Sequence, residues 1–488
     1  MEEGKRRSFE DHLFEAYTEC QSLKIQHCEL DRKAYSAVIL GRLDEVSDDQ
    51  ENRILKCFQY FKKQIKDFTA ETVFEFAKYI VDQKLWVVVS LGEGEDEQKI
   101  FDSINSTGQK LTATDIIKNT LFAVVISKLG EDKASDLYSK YWKGIFEKDD
   151  KEVSFWDKEL ETGRVKRVRS EILLHSFSII KGIFDVEEHN LGNLSSLFKD
   201  HFDKNLKTKQ DIEDFLKDLK KYATIYRDFP WVEKGKNFSY KEWEERFFHI
   251  MTIKKVQTIV PFVLFLKDNL QENKEVYQRC LYLLEILIWF NTEVKYYNKF
   301  FAGIIKEIKS SSCAAEQIYD LVREKISDKY SENVSVPRAK ERLLKIENRD
   351  ATLVLFWIEL YRESQNEEYR DRSELPYHFT LEHLMPQEWE PHWRHIVNDG
   401  EKAERLINQI GNMTLLRQKL NKSISNSEWR TKLKGDGGKK GIQEYTDLFI
   451  TRELFGYDEW NAEAIEKRTQ KLTDEFLTIW NVKIFQKG

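Results

Sequence analysis

The chain has 488 residues, 41% of them hydrophobic and 33% charged, with a formal net charge of −7. That length exceeds one ordinary core and points to two or three domains, and the acidic balance excludes a protein that coats nucleic acid with its whole surface, while leaving room for a local basic groove. Five cysteines at long spacings with no CxxC pair exclude a disulfide scaffold or a cysteine-ligated zinc site, and only six prolines among so many charges favour helices over a β-sandwich.

At the N-terminus, MEEGKRRSFEDHLFEAY carries no apolar leader, and no later stretch nears the roughly 18 apolar residues of a membrane helix. The expectation is a cytoplasmic protein with no membrane partner. Residues 1–90 read as helices, with Ile54, Leu55, Phe58 and Phe61 at helical spacing between charges. LWVVVSLG (85–92) is a β-branched run closed by glycine, a strand candidate. Thr112 and Asp115 have the spacing of a capping box ahead of an apolar-faced helix. Residues 126–350 look helical throughout, with helices expected over 170–184, 212–228, 243–267 and 275–308. VYQRCLYLLEILIWF is nearly all apolar, so its helix should be buried on most sides. RVKRVRS (164–170) is a basic patch that fits an exposed helix start or a DNA contact equally well.

Composition shifts near residue 365, where SQNEEYRDRSELP ends at Pro376, and the last domain boundary is placed there. The expected division is 1–125, 126–365 and 366–488. The fold class is mainly α with a small α+β part. A multi-helical middle region precedes a module in which Phe379–His383 and Met413–Leu416 are strands. Ser425 and Glu428 have capping-box spacing, so a helix should begin near 426. His378, His383, His392 and His395 cluster at the start of this last segment. The glycine-rich KGDGGKKG (434–441) reads as a flexible loop or a phosphate-binding nest.

Three pieces of this segment carry chemistry: FTLEHLMPQ (379–387), IGNMTLL (410–416) and NKSISNSEWRTK (421–432). Phosphodiester hydrolysis needs a base to activate water, a divalent cation to neutralise the phosphate and the leaving oxygen, and a rigid element that holds the base. Glu382 and His383 are neighbours, so a regular strand sends their side chains to opposite faces. From Arg417 to Lys440 eight Lys/Arg face two acids, a strip suited to phosphate contact or to a solvated helix face.

The order EHxxPQ, GNxTLL, Asn, then SN with an aromatic and Lys, resembles the C-terminal nuclease domain of GmrSD-type modification-dependent restriction endonucleases, an HNH (His-Me finger) module of ββα-metal form. The resemblance implies a metal-dependent DNA endonuclease of prokaryotic restriction or phage defence. His383 matches the family's general base, and Asn412 the residue that fixes the loop and the base. Glu382 and Asn421 stand where metal ligands are expected, for Mg²⁺ or Mn²⁺, with Asn426 a competitor for Asn421. Arg417, Lys419, Lys422, Arg430 and Lys432 are the expected nucleic-acid contacts. Trp460, Ile465 and Arg468 match the closing helix. DNA, including modified DNA, is the implied partner. The alternatives are a decayed, regulatory DNA-binding subunit and an RNase using the same site.

Near the front, IFDSINSTGQKLTATDIIKN (100–119) resembles the FxxxNxxGxxLxxxDxxxN block of the family's ParB-like, nucleotide-handling domain, through Phe101, Asn105, Gly108, Leu111, Asp115 and Asn119. The DGQQR motif of that domain is absent, which argues against NTP hydrolysis and for a structural role of Asn105 and Gly108. The expectation is a partial domain lacking its first half, with a partner chain supplying the rest.

Overall fold

The structure, a computed structural model, describes residues 23, 27, 29–46, 52–83, 111–162, 165–233, 235–290, 296–367, 374–444 and 447–486. The strand expected over 85–92, and Phe101, Asn105 and Gly108 of the front block, lie outside the described residues. The chain divides into two compact units, Met1–Phe101 and Asp102–Gly488.

In the first unit, helices α1 (Glu29–Ile39), α2 (Arg53–Gln64) and α3 (Ala70–Asp82) are described. Asn52 and Thr69 start the latter two by accepting backbone N–H groups that a helix leaves unpaired at its first turn. Ala34, Ala37, Val46 and Leu55 form its small core.

The second unit is mainly helical. It opens with α4 (Ala113–Leu129), started by the Thr112–Asp115 capping box expected from the sequence. The long helices that follow are α5 (Arg169–Lys181), α6 (Leu194–Asn205), α7 (Lys209–Arg227), α8 (Trp243–Ile253), α9 (Val260–Asn269), α10 (Lys274–Phe290), α11 (Tyr297–Ser311), α12 (Ala315–Tyr330), α13 (Val336–Leu344) and α14 (Asn348–Gln365). Their apolar faces share one large core, and α10 is buried from Ile286 through Phe290, as its composition requires. The run expected as one helix over 243–267 breaks instead at Lys255, whose φ of +58° no α-helix accommodates.

Two antiparallel strands, β1 (Glu159–Thr162) and β2 (Val165–Val168), precede α5. Residues 165–170 of RVKRVRS are therefore strand and helix start together, and Arg167 and Arg169 point inward. Arg167 binds Glu171 at 2.9 Å, and Arg169 is buried with its guanidinium 4.1 Å from the Phe155 ring centre. A DNA-facing patch built on those two arginines is excluded by that burial.

A short pair, β3 (Asn237–Phe238) with β4 (Leu375–Pro376), ties the chain after α14 back to the helical region. Then come β5 (Thr380–His383), helix α15 (Gly400–Ile407), β6 (Met413–Leu416), α16 (Gln418–Ile424), α17 (Trp429–Lys434), the hairpin β7 (Gly435–Asp436) and β8 (Lys439–Lys440), α18 (Phe449–Arg452) and α19 (Ala462–Ile479). The helix expected from 426 is thus two helices. Ser425 ends α16 with a φ of +37°, and Glu428 precedes α17 without a side-chain cap. KGDGGKKG is a β-hairpin, neither a loose loop nor a nest. Gly437 and Gly438, at φ +56° and +91°, make the tight turn whose twist suits paired strands.

Candidate active site

The site is built on β5 and β6, which run antiparallel with Glu382 opposite Thr414 and His383 opposite Met413. The pair lies between two apolar clusters. Met413 and Leu415 join the large helical core, while Leu384, Met385 and Leu416 join a second core with Trp393, Trp460 and Ile465. Clamped on both sides, a short strand pair too small to stand alone becomes a rigid platform.

Directly after His383 the backbone is held by Asn412. Its side chain is fully buried; Oδ1 accepts from Met385 N at 2.8 Å and from Trp460 Nε1 at 3.0 Å, and Nδ2 donates to Met385 O at 2.9 Å. Leu384 N donates to Asn412 O at 2.8 Å. An amide is the side chain for this position because it offers a donor and an acceptor side by side, matching the N–H and C=O of a single residue, Met385.

The turn carrying Asn412 is pinned in its own right. A Cβ on Gly411 would stand 2.3 Å from Ile465 O, so α19 passes flush against the backbone there. From α19, Arg468 donates Nη1 to Gly411 O and Met413 O, both at 2.6 Å, and Nη2 to Ile450 O at 2.9 Å. Its charge is compensated by Glu453 at 2.8 Å.

His383 is half-buried, and its Nε2 is sealed from solvent without a hydrogen-bond partner. Burial first, and the Lys432 ammonium second, push its pKa down to about 4. The ring is neutral at physiological pH, with one nitrogen able to accept a proton.

Glu382, on the neighbouring position, is buried and paired with Lys432. Lys432 is itself fully buried on α17 and donates a second bond, 2.8 Å, to His383 O. Burial pushes the Glu382 carboxyl up and the Lys432 ammonium down, against their mutual attraction. Lys432 therefore does not join the surface strip in which the sequence placed it. Arg417, Lys419, Lys422 and Arg430 are exposed.

Asn421, on α16, binds the far end of β5. Its Nδ2 donates to Thr380 Oγ1 at 3.1 Å and Leu381 O at 2.9 Å, and no hydrogen bond joins it to Glu382 or His383. Asn426 is tied to Glu388 at 2.6 Å. His378, His392 and His395 are exposed.

No group of three or more His, Cys, Asp or Glu among the described residues could by itself hold a metal ion. Two hard oxygens on the β5 side nevertheless carry no protein hydrogen bond among the described residues. They are Glu382 Oε2 and Asn421 Oδ1. Mg²⁺ and Mn²⁺ suit so sparse a set, since phosphate oxygens and waters ordinarily complete their coordination.

Comparison with known families adds two matches. The model of the N-terminal domain of the GmrSD restriction endonucleases matches residues 2–122, and that of their C-terminal domain matches residues 333–475. The chain belongs to the GmrSD restriction endonuclease family. The C-terminal GmrSD match takes in β5, β6, Asn412, Lys432 and Arg468, so the whole platform lies within it. The N-terminal GmrSD match takes in the front block and the start of α4. No curated protein matches the chain.

Sequence reasoning missed the inward turn of Lys432. Its signal was present: Trp429, Lys432 and Leu433 share one face of α17 at helical spacing, and both neighbours are apolar. It also missed Gln409 and Thr469, a buried pair at 2.9 Å whose threonine accepts from Gly411 N.

Proposed function

We propose that this member of a restriction endonuclease family is a metal-dependent DNA endonuclease of phage defence, of the HNH (His-Me finger) type, with His383 as general base. One observation carries the reading. A neutral imidazole, whose Nδ1 has no hydrogen-bond partner among the described residues and, unlike Nε2, is not sealed from solvent, stands immediately before a turn that Asn412 locks through Met385 N and Met385 O. Such an imidazole nitrogen accepts the proton of a water as the oxygen attacks phosphorus and the P–O bond to the leaving group breaks. The chain's other residues act by placement. Asn412 fixes the peptide after the base. Lys432 holds the carbonyl of the base itself. Exposed Arg417, Lys419, Lys422 and Arg430 meet the DNA backbone. Glu382 and Asn421 would hold the divalent cation, which supplies charge neutralisation at the phosphate and the leaving oxygen.

The test is nicking of supercoiled plasmid, modified and unmodified, with Mg²⁺ or Mn²⁺ and with a chelator. His383→Ala should abolish nicking while leaving DNA binding intact. Nicking by that variant at the wild-type rate would refute the role of His383.

A second reading has its own support in the buried Glu382–Lys432 pair, because the carboxylate expected to bind a cation is already neutralised. On that reading the chain is a DNA-binding, regulatory subunit with a silent site. It predicts DNA binding without nicking under any divalent cation.

A further inference from the structure

A cavity of about 330 Å³ opens between α8 and α10, well apart in sequence from β5 and β6, with Trp243, Arg246, Arg279, Tyr282 and Glu285 among its walls. Its floor is a buried ion pair. Arg246 is 7% exposed and Glu285 1%, and Arg246 Nε donates to Glu285 Oε1 at 2.8 Å. The same carboxylate oxygen accepts Trp480 Nε1. What remains is informative. Neither terminal nitrogen of Arg246, nor Glu285 Oε2, has a hydrogen-bond partner among the described residues, and none of the three is sealed from solvent. All three atoms belong to residues lining the cavity.

A buried pair that serves only packing has its valences filled, since an unmet charge-bearing donor or acceptor is costly there. This pair leaves two donor groups and one acceptor unused at the bottom of a pocket. Tyr282 forms a wall held in place, its hydroxyl donating to Ile479 O at 3.0 Å and accepting from Asn481 N at 2.8 Å. Trp243, the first residue of α8, also lines the cavity. Arg279 is engaged by both oxygens of Glu316 and adds no free charge.

The chemistry of the occupant follows. The floor has no net charge and the exposed Glu275 adds a carboxylate at the lining, so a phosphate does not match it, while a simple cation would leave the Arg246 donors unmet. The floor offers donors beside an acceptor, within aromatic walls, in a volume suited to one small ring system. We infer that this cavity binds a nucleobase bearing an exocyclic amino group. The amino group donates to Glu285, a neighbouring ring nitrogen or carbonyl accepts from Arg246, and the ring lies against Trp243 or Tyr282. Bases read outside a duplex are recognised in this way, by their pairing edge and their faces. The base can come from a free nucleoside or from DNA. Only the second source draws on the nuclease reading.

The test is calorimetric titration of the full chain with cytidine, adenosine, guanosine and thymidine. At least one amino-bearing nucleoside should bind at least tenfold more tightly than thymidine, which has no amino group. Glu285→Gln and Arg246→Met should each weaken that binding at least tenfold. Because both residues are buried, Trp243→Ala, at a partly exposed position, is the third variant and should also weaken it. Absence of binding by every nucleoside, or binding unchanged in all three variants, overturns the inference. A His383→Ala chain titrated with duplexes separates the two sources. Tighter binding when the amino-bearing base lies opposite an abasic site, lost in Glu285→Gln, assigns it to DNA, and indifference to that lesion assigns it to free nucleosides. Loss of plasmid nicking bears on the nuclease reading alone, so the two failures are distinct.

Discussion

Replacing Lys432 by methionine removes one charge from the platform while keeping its length and apolar stem. In the intact protein the ammonium compensates Glu382 and holds His383 O at 2.8 Å. Without it, Glu382 has two choices. It can stay ionised and unpaired inside the protein, at a cost of about 3–5 kcal/mol for a buried pair broken on one side. It can instead take up a proton. From an ordinary value of 4.5, holding a carboxyl protonated at pH 7 costs about 3.4 kcal/mol, at about 1.36 kcal/mol per pH unit. The second route caps the loss and gives it a pH signature. A carboxyl raised in the folded state binds more protons folded than unfolded, so the variant gains stability as pH falls toward 4.5 and loses it as pH rises. The defect should be about 3 kcal/mol at pH 7 and about 1 kcal/mol at pH 5. Urea denaturation at both pH values, followed by tryptophan fluorescence, reads it, since Trp429 and Trp460 lie in the core beside the pair. A Glu382→Leu, Lys432→Met double variant should return to within about 1 kcal/mol of wild type at pH 7, because a buried pair is often replaceable by apolar groups. A defect below about 1 kcal/mol at pH 7, or one that ignores pH, would refute the reasoning.

Other outcomes follow from the same geometry. With its pKa held at about 4, His383 stays unprotonated down to that value, so kcat/KM for nicking should be flat from pH 7 to pH 5 as far as this base is concerned; a fall centred at 6.5 would deny the effect of burial. Gly411→Ala drives a Cβ to 2.3 Å from the α19 backbone and should cost about 1–3 kcal/mol or more, measured as a lowered urea midpoint. Neutralising Arg417, Lys419, Lys422 and Arg430 together should flatten log K against log salt for duplex DNA by up to about 3.6, at about 0.9 per phosphate contact; an unchanged slope removes the strip from the interface.

The helical majority was legible because its apolar residues recur at helical spacing over long stretches. Local backbone chemistry defeated the rest. Lys255 and Ser425 adopt positive φ without being glycine, so breaks at 255 and 425 left no trace in composition. At the site, the motif spacing located β5, β6 and Asn412, since each lies within a few residues of a strand end or a turn. Burial of charge was not legible in the same way. Arg169 and Lys432 read as surface cations, because the partners that draw them inward, Phe155, Trp231 and Glu382, stand elsewhere in the chain. A charge count along the sequence registers only neighbours in the chain and has no access to pairing across it.

The grip of Arg468 has a consequence for how the protein is made. Its guanidinium gathers carbonyls from Gly411, Met413 and Ile450, and it sits on α19, which is synthesised after both strands. A chain that has not yet reached α19 has both strands but lacks the Arg468 bonds that pin the turn between them. The platform of the candidate site is therefore fully pinned only after α19 has been made, so chains stopped before that helix should lack the fixed turn around Asn412.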